Sequence, residues 1–257
     1  MRLTDIHSKI NNAREVDFGA VISESIELFK KLWVQGFLTI IILAVIGVPL
    51  ALLSQFILEI LGLVVPNTFY LDDFSIESFS RSFGVSTLYN FPFTVISTTL
   101  QLGVFAGFYR IVKMKDVDNR STEEYFYYFK KDYLGKLLML SLVYSAISYV
   151  AMLLCFIPYI YVLVPLMFFS VIFAYNPEMS VEEILKTSFM IGNKKWLVTF
   201  GSLFVCGLLG MLGLLACFIG VLFTMSIVYF PCYVIYREVV GFDETSEIDQ
   251  IGKFEEY

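Results

Sequence analysis

The sequence contains a single histidine, His7, and four cysteines, Cys155, Cys206, Cys217 and Cys232, with no CxxC spacing among them. A structural or catalytic metal needs several imidazole, thiolate or carboxylate ligands brought together, so no metal and no cofactor is expected. The cysteines lie in or beside apolar runs and are expected as small buried residues. A bridge between Cys155 and Cys217, at matching hairpin tips, is the alternative. Also missing are a nucleophile elbow, a Walker loop and a dinucleotide fingerprint. No catalytic residue is assigned, and the chain is read as non-enzymatic. His7 falls in a polar leading tail, Met1 to Asp17, where a solvated side chain is expected.

Charge is scarce as well. Charged residues make up 16% of the chain against 58% hydrophobic and 17% aromatic, with a mean hydropathy of +0.74. That balance lies outside the soluble globular range. Residues 32–58, 82–109, 137–177 and 196–236 contain no charge at all, in runs of 27, 28, 41 and 41 residues. A helix needs about 20 residues to cross the hydrocarbon. The first two runs hold one span each, and the longer two hold a pair each, broken at Phe156-Ile157-Pro158 and Phe218-Ile219-Gly220. The fold expected is all-α, with six transmembrane helices over about 36–58, 91–112, 137–157, 159–176, 197–217 and 219–236 within one membrane domain, 1–240.

Of 18 Lys and Arg residues, only Arg81 falls in a segment that this count puts outside. Positive residues flanking spans are retained in the cytoplasm, which places both termini there. The loop Leu63 to Asn90 is then external and interfacial, and the acidic segment 241–257 is a flexible cytoplasmic tail.

What is present is a repeated unit. Asp17 to Lys31, Ser121 to Lys136 and Ser180 to Lys195 are amphipathic, end in lysine and run directly into an uncharged stretch. Ser121 with Glu124 and Ser180 with Glu183 have the capping-box spacing of a helix start. Phe18, Val21, Ile22, Ile26 and Phe29 form an apolar stripe at helical spacing, as do Val181, Ile184, Leu185 and Phe189. The middle segment sets Tyr125, Phe126, Phe129 and Tyr133 against lysines. Three repeats of an amphipathic helix plus a transmembrane helix pair are expected. Such helices either lie in the membrane interface, with Lys30, Lys31, Lys130, Lys131, Lys136, Lys194 and Lys195 at the lipid headgroups, or cap the bundle as packed helices.

Within the spans the polar residues are neutral. Ser97, Thr98, Thr99 and Gln101 of span two and Ser141, Ser145 and Ser148 of span three either line a small polar cavity or bond between helices. Gly103 and Gly107 make a GxxxG pair whose contact is expected inside the chain. Pro49, Pro165 and Pro231 lie within spans, where proline kinks a helix.

The segments GVFAGFYRIVKMKDVDNRSTEEYFYYFKK, 103–131, and NPEMSVEEILKTSFMIGNKKW, 176–196, resemble a superfamily of uncharacterised bacterial six-span inner-membrane proteins. It includes the membrane domain found beside some glycerophosphodiester phosphodiesterases. The resemblance covers residues 15 to 240 and implies a bacterial cytoplasmic membrane. It supplies no reaction, because the phosphodiesterase barrel is absent here. The function expected is organisation of membrane lipids or of a membrane or cytoplasmic protein partner, with a carrier for a lipid or small apolar solute as the alternative. No nucleic-acid partner is expected.

Overall fold

A computed structural model describes residues 3–63, 76–118, 123–154, 156–215 and 219–242. Ser121, Cys155, Cys217, residues 64–75 of the segment expected as an outer loop and residues 243–257 of the expected tail lie outside the described residues. Nine α-helices appear among the described residues, and no strand does. Six helical segments are long and apolar enough to cross a membrane: Phe18–Ile60, Gly84–Asp116, Lys131–Leu153, Ile157–Tyr175, Trp196–Leu214 and Gly220–Val239. This is the architecture of a multi-pass membrane protein.

The leading segment differs from its reading as a tail. It forms helix α1 (Leu3–Asn12), in which Ile6 and Ile10, one turn apart, are fully buried. The spacing of Leu3, Ile6, Ile10 and Ala13 is that of an apolar helix stripe set between polar residues. His7 is correspondingly held rather than solvated, with Nε2 3.2 Å from the Thr187 hydroxyl.

Helix α2 (Phe18–Ile60) starts on Asp17, whose carboxylate accepts from the Ala20 N–H at 2.7 Å. The amphipathic segment and span one are therefore one helix, kinked where Leu32 leaves helical geometry (φ −124°, ψ 18°). Its buried stripe is Val21, Ser25, Leu28 and Leu32. Only Val21 of the expected apolar stripe belongs to it.

Helix α3 (Ile76–Asp116) begins earlier than the outer loop allowed, so 76–90 is helical. After it the middle unit departs from the repeat. No α-helix covers 123–130, which carries a single 3-10 turn at Tyr127–Phe129. Helix α4 (Lys131–Leu153) starts there directly. The reason is that its aromatic residues are anchored to different helices. Tyr125 donates its hydroxyl to the Gln35 carbonyl at 3.1 Å, and Tyr128 donates to the Ala174 carbonyl at 2.6 Å. One helical face cannot satisfy both. The GxxxG pair receives this connector: a Cβ on Gly107 would lie 2.2 Å from the Tyr125 carbonyl oxygen, and one on Gly103 2.5 Å from the Phe129 ring.

Helix α5 (Phe156–Tyr175) follows the break after Leu154. Helix α6 (Val181–Lys194) carries the complete capping box, with the Ser180 N–H donating to Glu183 at 2.7 Å and the Glu183 N–H to the Ser180 hydroxyl at 3.3 Å. Its buried residues are Ile184, Thr187, Ser188, Ile191 and Gly192, the last seated on Pro165. Helix α7 (Trp196–Met211) ends in a 3-10 turn. The last span is discontinuous: α8 (Ile219–Thr224), a 3-10 stretch Met225–Tyr229, then α9 (Phe230–Val239) with Pro231 in its first turn. Proline brings no N–H to that turn.

An even number of crossings returns the chain to its starting end, where Lys9 of α1 donates to the Val240 carbonyl at 2.9 Å. The core sits at this charged end and is built from Phe108, Tyr109, Phe168, Phe169, Phe173 and Phe230. The other half is lightly packed, and large apolar residues such as Leu52 and Ile157 (67% and 79% exposed) face outward there. Hydrocarbon is the solvent that such a surface suits.

Candidate functional site at the charged end and in the bundle

The seven lysines read as a lipid-facing set divide into two groups. Lys30, Lys31, Lys130 and Lys131 are exposed and bond no backbone carbonyl among the described residues; Lys194 is exposed as well. Lys136 instead donates to the Pro177 carbonyl, Lys194 to the Asn11 carbonyl and Lys195 to the Arg14 carbonyl. These three tie separate segments of the chain together, and their partners are backbone carbonyls that leave no trace in the sequence. Lys195 is 6% exposed. Burial first, and then the charge of Lys194, holds its ammonium below the ordinary lysine range.

Of these lysines, Lys130 is set against an aromatic ring. Lys130 lies 4.3 Å from the centre of the Tyr127 ring, and the Arg110 guanidinium lies 3.9 Å from the same ring. Glu124 is 3.6 Å from Arg110 and 3.8 Å from Lys130. Trp33 and Phe126 are exposed beside the lysine pairs in sequence. Nearby, Glu123 accepts from Lys115 at 2.6 Å and from Gln35 at 3.0 Å, and these bonds hold its carboxyl below the ordinary glutamate range.

A charge network that the sequence reading missed closes the same end. Arg237 of α9 donates to Asp116 of α3 at 2.7 Å and to Glu24 of α2, while Tyr233 donates to Asp116 at 2.8 Å. Around it Tyr175, Tyr233, Tyr236 and Phe242 stack with centroids 4.9 to 6.3 Å apart. Gly241, at φ 72°, turns the chain so that Phe242 folds back onto these rings. The one available signal was Arg237 at the end of an aromatic run.

Comparison with known protein families, curated proteins and solved structures finds no match to this chain.

The neutral polar set within the spans is partly brought together. Thr99 and Ser141 share a hydrogen bond of 2.6 Å, and Ser145 donates to Thr98 at 3.2 Å, so these four bond α3 to α4. Ser148, one turn further along α4, has a buried hydroxyl with no partner. Ser97 is half-buried, and Gln101 is exposed. No group of three or more metal-ligating side chains occurs among the described residues.

Proposed function

We propose that the chain is a non-enzymatic integral membrane protein that organises lipid around its charged end, in a bacterial cytoplasmic membrane with both termini on the cytoplasmic side. The exposed basic rim of Lys30, Lys31, Lys130 and Lys131, with Trp33 and Phe126 beside it, carries this reading. Each basic residue near an anionic leaflet contributes about 1 kcal/mol, so four together amount to a few kcal/mol. Indole and phenyl rings at headgroup depth suit the same zone. The bias of Lys and Arg toward this end supports its cytoplasmic placement, and the resemblance of segments 103–131 and 176–196 supports the bacterial membrane. A membrane or cytoplasmic protein partner would meet the same end.

The test is lipid retention. Replacing Lys30, Lys31, Lys130 and Lys131 by Gln should lower the anionic phospholipid that stays bound in native mass spectrometry, and should leave neutral phospholipid unchanged. The matched variant Lys136→Gln should reduce stability without changing bound lipid, since that amine is already held by Pro177. Unchanged anionic lipid in the fourfold variant would remove the basis of the reading.

A further inference from the structure

We propose that residues 3–16 form a strap that engages Lys194 and covers Lys195, and that an anionic phospholipid leaflet displaces it by taking both ammoniums on headgroup phosphates. The proposal rests on the reading that the charged end meets such a leaflet, and it adds how that end is regulated.

The strap is α1 together with the connector that leads to Asp17. It lies on the outside of the bundle, where Thr4, Asp5, Ser8, Lys9, Asn11 and Asn12 are exposed and only one side, at Ile6 and Ile10, is buried. Against α6, His7 meets Thr187 at 3.2 Å, and Lys9 reaches the Val240 carbonyl. A helix of 10 residues is too short to persist alone in water. Its order therefore depends on staying docked.

The other end of the strap is held by charge without a counter-charge. Lys194 donates to the Asn11 carbonyl and Lys195 to the Arg14 carbonyl. Among the described residues no ion pair joins 3–16 to the rest of the chain. Glu15 and Glu238 act on Lys195 without bonding it, and Lys194 beside it adds a like charge. Two neighbouring ammoniums thus rest on neutral oxygens, one of them on a residue 6% exposed. A neutral carbonyl compensates a buried ammonium poorly. A phosphate oxygen makes the same bond and adds an opposite charge.

The two lysines also stand where headgroups are met. The uncharged span begins at the next residue, Trp196, and Leu197 is 79% exposed. Trp196 stacks on Phe200 with centroids 4.8 Å apart. An indole followed by an outward leucine marks the polar boundary of a span, and a lysine stem at such a boundary carries its ammonium toward the headgroups. Here the strap holds both ammoniums instead. Lys195 gains a headgroup only when residues 3–16 lift away, so an anionic surface binds the released form better than the docked one. That difference in affinity is what shifts the equilibrium.

The experiment follows amide exchange over residues 3–16 in the full chain, in nanodiscs of phosphatidylcholine alone, of phosphatidylcholine with phosphatidylglycerol, and of phosphatidylcholine in buffer containing inorganic phosphate. Exchange should rise about tenfold with phosphatidylglycerol, the order expected when two basic residues gain an anionic surface. With inorganic phosphate it should stay at the value for phosphatidylcholine alone. Lys194→Gln combined with Lys195→Gln should exchange alike in all three, because neither amide carries a charge for the leaflet to attract. Ile10→Ala loosens the strap and leaves both lysines, so it should exchange faster in every lipid and retain more phosphatidylglycerol than the parent in native mass spectrometry. The fourfold variant at Lys30, Lys31, Lys130 and Lys131 should keep the rise. If that variant also retains as much anionic lipid as the parent, the rim reading fails while the strap stands. The strap is overturned by equal exchange with and without phosphatidylglycerol, by a rise with inorganic phosphate alone, or by unchanged lipid on Ile10→Ala. A rise that survives the double lysine variant, or that vanishes in the fourfold one, overturns it as well.

Discussion

Arg237 and Asp116 are joined by a hydrogen bond of 2.7 Å that closes the end of α9 onto the end of α3. The same guanidinium reaches Glu24 on α2, so one side chain holds three helices that lie far apart in sequence. A planar fork that reaches two separate carboxylates at once belongs to arginine, and lysine offers only a point charge. Arg237→Met should therefore lower stability by about 2 kcal/mol, the range of a charge-assisted bond whose partner is left partly buried. Arg237→Lys should recover only part of that loss. Thermal unfolding in detergent gives the order, and equal midpoints for Lys and Met would show that the fork geometry is irrelevant.

The glycines allow a graded test of the connector seat. A methyl on Gly107 meets the Tyr125 backbone at 2.2 Å, one on Gly103 meets the Phe129 ring at 2.5 Å, and one on Gly207 meets nothing within 4 Å. A ring can rotate away and a backbone cannot. Overpacking costs about 1–3 kcal/mol, so Gly107→Ala should sit at the upper end of that range, Gly103→Ala lower, and Gly207→Ala near zero. A Gly107→Ala protein as stable as its parent would mean that residues 123–130 do not sit against α3.

These cases show what the sequence could and could not carry. The Ser180–Glu183 cap was legible because both partners lie within one turn, and their spacing is the whole mechanism. The change from amphipathic segment to span at Lys31 was legible for a similar reason, and the backbone kinks one residue later, at Leu32. Ser121 with Glu124 offers the same local spacing, but Tyr125 and Tyr128 find partners on α2 and α5, and tertiary anchoring outweighs helix propensity there. The bonds of Lys136, Lys194 and Lys195 to backbone carbonyls could not be read from the sequence, because a carbonyl partner has no side-chain signature. Thr98, Thr99, Ser141 and Ser145 were identified as residues, while their division into two bonded pairs needed the helix register.

Glu123 gives the charged end a defined acid limit. Bonds from Lys115 and then Gln35 lower its carboxyl pKa below 4.5, the ordinary glutamate value. A group with a lowered folded pKa stabilises fully above its unfolded value and loses that contribution as pH falls through the folded one. The side chain is 41% exposed, so the effect is modest. The thermal midpoint should fall between about pH 5 and about pH 3, and Glu123→Gln should flatten part of that fall. If Glu123→Gln and the parent follow the same curve, the bonds to Lys115 and Gln35 do not contribute to stability.

Sidedness is the remaining property that a simple measurement decides. Leu61, just past the end of α2, is 61% exposed, and Glu182, in the first turn of α6, has a side chain 73% exposed. They lie at opposite ends of the bundle, separated by an odd number of crossings. In a background with all four cysteines replaced, Leu61→Cys should react with a membrane-impermeant maleimide in intact cells. Glu182→Cys should react only after the membrane is opened, as the concentration of Lys and Arg at its end requires. Labelling of both from outside would break the six-span arrangement. The reverse pattern, with Glu182→Cys alone reacting in intact cells, would keep the fold and move the basic rim away from the anionic cytoplasmic leaflet, which would remove the electrostatic ground for lipid organisation at Lys30, Lys31, Lys130 and Lys131.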